Sequence, residues 1–343
     1  MKTDILFIGA LDYPNIPRHG DSVKNQHLID YFQKYRTVEY IDTWGWKKKP
    51  WILLTMLWKV WFGNYRSIVY STSNETAYVL TRLFTAFPLQ KKIIYFMIGG
   101  YTPIKILQGV YKAKPYRKVD KIIVEADGVK SFYEQAGVYN SLRVYNFKPY
   151  TFVPDTTTPH TGQVKFVFLS RLTKLKGVFL ILEAVHTLQK MGYNNFVVDY
   201  YGSISPDIEH EFKDKLKATP LASYKGFLNM KDENNYSILA DYDAMLFPTM
   251  HPTEGFPGVI ADAAIAGVPV ISANWNYAEE LVGSNGCGYV IPVGDLDALV
   301  EKMKYVIDHR EENEQKRSVC VKQAEHYQMS NVLSESLLKE IGI

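Results

Sequence analysis

Two carboxylates, Glu254 and Asp262, bracket the turn Gly255-Phe256-Pro257-Gly258 in the segment HPTEGFPGVIADAAIAGVPVISANW, residues 251 to 275. Pro257 stands where a helix tolerates a missing N–H, and Gly267 before Val268-Pro269 ends that helix and opens a strand, which predicts a helix over 257–266. The first turn of such a helix offers unpaired N–H groups and the positive end of the dipole, and Gly255 and Gly258 leave room for a ligand to approach. An anion suits that position. With Glu254 just outside the helix and Asp262 inside it, both acids are expected to flank one concave face and to accept hydrogen bonds from vicinal hydroxyls. A phosphate beside a diol is the chemistry of a sugar nucleotide. One acid alone would read as ordinary dipole stabilisation; the combination points to a ligand.

A second segment, this one basic, SRLTKLKGV over residues 170 to 178, follows the apolar run VKFVFLS. Arg171 and Lys176 are thereby expected at the carboxyl end of a strand, ahead of a helix that Gly177 opens. A guanidinium fork and a mobile ammonium together fit a diphosphate and would neutralise charge developing on a departing nucleoside diphosphate. By itself the segment would be a solvated basic turn. Near the start, LDYPNIPRHGDSVKNQHLIDYF places Gly20 in a long loop before a helix, a loop able to face a phosphate or an acceptor. It has no GxGxxG pattern, so a dinucleotide dehydrogenase is a weak reading, and His19 in that loop reads as a surface residue rather than a ligand.

The segment WGWKKKPWILLTMLWKVWFGNYR, residues 44 to 66, holds five of the six tryptophans. At helical spacing Trp51, Leu54, Trp58 and Trp61 share one face, with Lys47, Lys48 and Lys49 at the entry and Lys59 within. Spanning a bilayer takes about 20 apolar residues, more than this run supplies. An interfacial helix fits, its aromatics at headgroup depth and its lysines on anionic lipid. The competing reading is a helix whose tryptophans turn into the core.

These residues need a scaffold. Short β-rich runs alternate with helical patterns: DILFIGA, VEYIDT, SIVYST, KIIYFMIGG, KIIVEA and LRVYNF in the first half, then VKFVFLS, FVVDYYG, SYKGFL, AMLFP, VPVISA and GYVIP. Near-continuous apolar strands separated by helix-length segments predict parallel sheets covered on both faces, and two such series predict two α/β doubly wound domains. The expected division is a first domain over 1–150, a Pro- and Thr-rich connector over 151–163, a second domain over 164–330 and a C-terminal helix over 331–343 that packs back on the first. Ligands of such sheets bind outside the carboxyl ends of the strands, which is where the basic and acidic loops fall.

The 343 residues are 47% hydrophobic and 22% charged, the composition of a globular chain long enough for two cores. Cys287 and Cys320, without metal spacing or CxxC, read as reduced thiols of a cytosolic chain, and the start MKTDILFIGALDYP reads as a buried strand rather than a signal peptide. The sequon at Asn74 is then idle. The net charge of +3 conceals an asymmetry: residues 1–150 hold 22 Lys and Arg against 11 Asp and Glu, the remainder 17 against 25. A basic first half implies an anionic partner. Nucleic acid is disfavoured, because the cations are not gathered in a nucleic-acid module and such binding gives the two acids no role.

SRLTKLKG followed by EGFPGVIADAAIAGVPVIS resembles the retaining glycosyltransferases of family 4, strongly across the second domain. In the first domain the resemblance is looser and rests on the Gly20 loop, on YFMIGG and on VEADGVKSFYEQAGVYNSLRVYNFK, segments similar to those of bacterial capsule, exopolysaccharide and O-antigen members. It implies the GT-B fold, two Rossmann-like domains facing across a cleft. It also implies that Arg171 and Lys176 hold the donor diphosphate and Glu254 the transferred sugar. Gly255, Phe256, Pro257 and Gly258 would then supply backbone N–H groups, with Gly226, Phe227 and Leu228 near the base. Asp262 matches the second acid of the family's paired-glutamate motif, one methylene short, and takes the ribose. Many relatives carry a histidine where this chain has Ile98-Gly99-Gly100. The resemblance further implies no metal or other cofactor, and front-face attack in which the leaving phosphate assists deprotonation of the acceptor.

The expectation is therefore a retaining, metal-independent hexosyltransferase at the inner face of the cell membrane. It would move a sugar, from UDP by preference, to a polyprenyl-diphosphate-linked glycan. The rivals are a sugar-nucleotide 2-epimerase of the same fold, which would alter the donor sugar without an acceptor, and a non-catalytic sugar-nucleotide-binding scaffold.

Overall fold

The computed structural model describes residues 3–11 and 20–343; His19 lies outside the described residues. Each of the twelve apolar runs forms a strand. They are β1 Thr3–Gly9, β2 Val38–Asp42, β3 Tyr65–Ser73, β4 Lys92–Ile98, β5 Lys121–Val124, β6 Ser141–Arg143, β7 Val164–Leu169, β8 Phe196–Tyr201, β9 Ala222–Tyr224, β10 Ala244–Phe247, β11 Val270–Ala273 and β12 Gly288–Ile291. The strands pair in parallel as two six-stranded sheets, ordered β2-β1-β3-β4-β5-β6 and β12-β11-β10-β7-β8-β9. Burial on both faces explains why the runs are almost wholly apolar.

The chain divides into two compact units, Met1–Lys148 with Met329–Ile343, and Pro149–Gln328. In the first, Ile5, Phe7, Leu28, Phe32, Val69, Ile94 and Phe96 pack in one core that also takes Leu333, Leu338 and Ile341 from the C-terminal segment. That segment forms a helix over Glu335–Ile341. The Ser334 hydroxyl accepts the Leu337 N–H at its start, and Gly342 ends it at φ 83°, a left-handed conformation that glycine adopts without strain.

In the second unit Phe166, Phe168, Ile181, Val185, Leu246 and Ile271 form the core. Residues 151–163, read from the sequence as a connector, belong to this unit. The Arg317 guanidinium donates to the carbonyls of Asp155 (2.9 Å) and Thr158 (3.4 Å), and Arg310 to that of Gly162 (2.8 Å). These bonds hold backbone rather than side chains, which is why composition hides them.

The order of the second sheet reverses at β7: the chain first builds outward through β8 and β9, then returns to place β10 on the other side. At such a switch point the loops leaving adjacent strands part and leave a crevice at their carboxyl ends. The loops after β7 and β10 are those that carry Lys176 and Glu254.

Candidate functional site

The loop after β7 is shaped by two glycines. Gly202 has φ 140°, and a Cβ there would lie 1.8 Å from the Ser170 carbonyl oxygen. Its absence lets the 202–205 strand end pair with Leu172, through Leu172 N–H to Ser203 O (2.9 Å) and Ser205 N–H to Leu172 O (3.0 Å). Thr173 then caps a short 3-10 turn, Lys174–Lys176, by accepting the Lys176 N–H. Gly177 follows at φ 77°, and a Cβ there would sit 2.4 Å from the Pro248 carbonyl oxygen. The close approach of the two loops requires glycine at this position.

That approach brings the Lys176 ammonium and the Glu254 carboxylate together as a hydrogen-bonded ion pair, their side chains 17% and 12% exposed. The ammonium also lies 5.0 Å from the centre of the Phe247 ring. Thr249, fully buried, was not singled out from the sequence and joins both loops. Its hydroxyl lies 3.1 Å from Glu254 Oε1 and 3.3 Å from the Leu175 carbonyl, and accepts the His251 N–H at 3.2 Å. The Met250 N–H closes the junction on Leu175 O at 2.7 Å. A hydroxyl residue directly after Pro248, at the end of a strand, was the signal available for it.

The helix after the turn runs over Gly258–Ile265, within the expected span, and Pro257 is its N-cap residue, with no side-chain cap bond. Its first N–H groups therefore have no side-chain acceptor from the cap. Phe256 is buried edge-on against Tyr327, ring centres 4.9 Å apart, which fixes the turn.

Asp262 departs from the open diol-binding acid expected beside Glu254. It is 2% exposed, and its Oδ1 accepts the Tyr236 hydroxyl at 2.8 Å. Burial, with that carboxylate beside it, holds the Tyr236 hydroxyl far above its ordinary pKa. The shorter side chain and the inward face of an alanine-rich helix account for this withdrawal, and the partner lies too far away in sequence to be read from spacing.

Arg171 is exposed and makes no ion pair among the described residues, so the structure unites Lys176 with Glu254 but leaves Arg171 apart. Beyond β9, Gly226 has φ 86° and its carbonyl accepts the Gly202 N–H at 2.8 Å; Phe227 stands 71% exposed and Leu228 is buried. In the first unit Gly20 opens the helix Gly20–Gln33 with open space where a Cβ would be, and Gly99 holds φ 76° at the end of β4.

The tryptophan segment forms a helix over Pro50–Phe62. Trp51, Leu54, Trp58 and Phe62 face outward, each at least 60% exposed, whereas Met56 and Val60 are buried. Trp61 is a correction: it is partly buried, edge-on to Phe87 at 5.8 Å, and Phe62 takes the outward place assigned to it. The helical turn over four residues from Trp58 favours position 62. Lys48 and Lys49 are exposed at the entry and Lys59 is ion-paired with Glu39; Lys47 lies in the preceding turn, its side chain outside the description. Among the described residues no helix is long and apolar enough to cross a membrane.

One cluster has the composition of a metal site, His160, Asp243 and Glu314. Arg310 already grips both Asp243 oxygens, at 2.8 and 3.1 Å, and the Lys165 N–H adds a bond of 2.7 Å. Burial pushes the Asp243 carboxyl up in pKa, but the bonds from His160, Lys165 and Arg310 outweigh it and leave the group below its usual value. With its charge thus met, the carboxylate serves to strap the 151–163 segment to the Arg310–Ala324 helix.

Two doubly wound parallel sheets, the second with a basic and an acidic loop meeting at its switch point, define the GT-B fold. Anabaena HepE in complex with UDP shares that fold at a TM-score of 0.72, with 15% identity and 98% of each chain covered. The chain belongs to the Glycosyl transferases group 1, whose family model matches residues 152–326. Among curated proteins it is 27% identical over 142 residues to the amylovoran biosynthesis glycosyltransferase AmsK of Erwinia amylovora, covering 40% of this chain and 34% of AmsK. It is 26% identical over 141 residues to the capsular polysaccharide biosynthesis glycosyltransferase CapM of Staphylococcus aureus, covering 41% and 36%. The matched stretch thus spans about a third of those relatives.

Proposed function

We propose that the protein transfers a sugar from a nucleotide-sugar donor, a UDP-sugar by preference, to a polyprenyl-diphosphate-linked glycan in bacterial surface polysaccharide synthesis. The observation that carries the reading is the Lys176–Glu254 pair at the switch point of the second sheet. Family membership, the biosynthetic relatives and the UDP held by HepE support it.

In this reading the donor diphosphate draws the Lys176 ammonium from Glu254 and meets Arg171, whose exposed guanidinium is available to it. The N–H groups at the Gly258 helix start complete an anion site that uses no metal. Glu254, released, accepts a hydroxyl of the transferred sugar, Thr249 keeps its carboxylate oriented, and Phe227 offers a face to the base. Asp262, turned inward onto the Tyr236 hydroxyl, steadies the helix behind this turn and leaves the ribose to other groups. The bond from the anomeric carbon to the diphosphate breaks as the bond to the acceptor oxygen forms on the same face. The acceptor proton passes to the departing phosphate oxygen, and because attack and departure share one face the configuration is retained.

The enzyme works as a peripheral protein on the inner face of the membrane. Its outward Trp51, Leu54, Trp58 and Phe62 enter the interface, and Lys48 and Lys49 meet anionic headgroups. The test is an anomeric proton spectrum of the product formed by the wild type, with Glu254→Ala and Lys176→Ala as controls. A retained anomeric configuration and loss of transfer in both variants are expected. Full activity in either variant would defeat the site, and inversion would defeat the mechanism.

A further inference from the structure

The first unit has a second basic feature, at the amino-terminal ends of β3, β4 and β5. A pocket of about 560 Å³ is lined there by Arg66, Lys91, Lys92 and Lys118, with the Asp120 carboxylate beside them and Phe87, Pro88 and Leu89 as the apolar wall. Ligands of parallel sheets bind at the opposite, carboxyl ends, so this pocket lies at the end of its own sheet where such ligands are not expected.

It abuts the last turn of the Pro50–Phe62 helix, the turn that ends in the outward Phe62. The Lys91 ammonium donates to the Val60 carbonyl at 2.6 Å, in the last turn of that helix, and Phe87 receives the edge of Trp61. Phe87 is itself 63% exposed, and the Trp61 it packs against adjoins Phe62, 74% exposed, in the sequence of that helix. Lys118 is steered over the pocket by its bond to the Thr85 carbonyl at 3.1 Å. Arg66 and Lys92 face Asp4 and Asp120 at 3.3 and 3.1 Å, but the two cations are 68% and 59% exposed. Pairs so exposed are weak competitors for another anion. The aromatic face is therefore bracketed by cations, Lys48 and Lys49 at its entry and this pocket at its exit.

A cationic pocket with one apolar wall, opening beside a row of exposed aromatics, fits a phosphate that carries hydrocarbon. We propose that it binds the phosphate of an anionic phospholipid headgroup and so seats the helix flat on the bilayer. This rests on the peripheral-membrane reading above and names the lipid that the surface selects. Free phosphate would satisfy the cations but make no use of the apolar wall of Phe87, Pro88 and Leu89.

The test is co-sedimentation of the full chain with vesicles of phosphatidylcholine alone and of equimolar phosphatidylglycerol and phosphatidylcholine. Wild type is compared with a double variant Arg66→Gln, Lys92→Gln and with Trp58→Ser, Phe62→Ser, all first matched for thermal unfolding. The charge variant is expected to lose about tenfold or more of its partition onto phosphatidylglycerol vesicles and none onto phosphatidylcholine, since each cation near an anionic surface contributes on the order of a fewfold to tenfold. The aromatic variant should lose binding to both. Equal binding of wild type and charge variant to phosphatidylglycerol vesicles would overturn the pocket and leave the membrane reading intact. A wild type that ignores both vesicles would remove the membrane reading and this proposal with it. Inorganic phosphate at physiological salt should not displace the protein from phosphatidylglycerol vesicles; displacement would assign the pocket to free phosphate instead. If the double charge substitution prevents folding, Lys118→Gln alone provides the same comparison at smaller amplitude.

Discussion

The two units carry their unusual residues in opposite ways. In the second, charged groups are drawn inward: Lys176 and Glu254 pair at low exposure over a buried threonine, and Asp262 is locked to Tyr236. In the first, apolar groups are turned out, with a row of aromatics more than half exposed on one helix. Each arrangement is costly to a chain alone in water. Desolvated ions lose hydration that their mutual attraction only partly offsets, and exposed aromatic surface forgoes burial. Features that a lone fold would remove are informative about ligands, and on the proposed function the two differ in kind, a polar and anionic donor for one and a membrane interface for the other.

The contrast is broken most severely by cutting the buried pair. Lys176→Met is expected to lower transfer by about 10³-fold or more, the scale of removing a group that meets developing charge. It should also reduce stability by up to about 3 kcal/mol, because Glu254 is left without its cation. Product formation and thermal unfolding measured on the same sample check both. A smaller effect separates positioning from charge: Thr249→Val keeps the shape but removes the hydroxyl. Transfer should fall about tenfold to a hundredfold, chiefly in kcat, with Thr249→Ser restoring most of it; a valine variant of full activity would leave Thr249 a packing residue only.

On the other side of the comparison, Trp51→Ala with Trp58→Ala should weaken vesicle binding about tenfold while moving stability by no more than about 0.5 kcal/mol, since neither ring is packed in a core. An unfolding shift larger than that would mean that the helix is held by those rings after all. The smallest expected effect concerns acid. Asp243 has a folded pKa below its ordinary value, so the stability it contributes is fully present above the usual carboxylate range and is lost as pH falls through and below it. Asp243→Asn should therefore flatten the acid limb of the unfolding curve, measured by fluorescence.

Much of the fold was legible because burial on both faces forces parallel strands to be apolar, so all twelve runs could be read directly. The two loops were legible through their cargo, since Lys176, Gly177 and Glu254 follow strand ends, whereas the strand order that makes a switch point between them came from the structure. The partners of Asp262 and the role of Thr249 were not, because they depend on which face of a short helix turns inward and on contacts between segments far apart in sequence, such as Leu175 with Thr249. The outward helix was read with its face turned slightly: spacing alone assigned Trp61 to it, whereas packing on Phe87 draws that ring in and leaves Phe62 outside. The attachment of residues 151–163 was hidden for a related reason, since Arg310 and Arg317 hold their carbonyls and carbonyls leave no mark in composition.

On the proposed function the second unit is a donor site whose cation is Lys176. Calorimetric titration of the wild type and of Lys176→Met with UDP, GDP and ADP tests this most directly. The expected result is that UDP binds the wild type in preference to GDP and ADP, and that the variant, with its fold retained, binds UDP at least about tenfold more weakly, as loss of one charge-assisted contact to a phosphate implies. Equal affinity of the two proteins for UDP, or no nucleotide binding by a folded wild type, would contradict it.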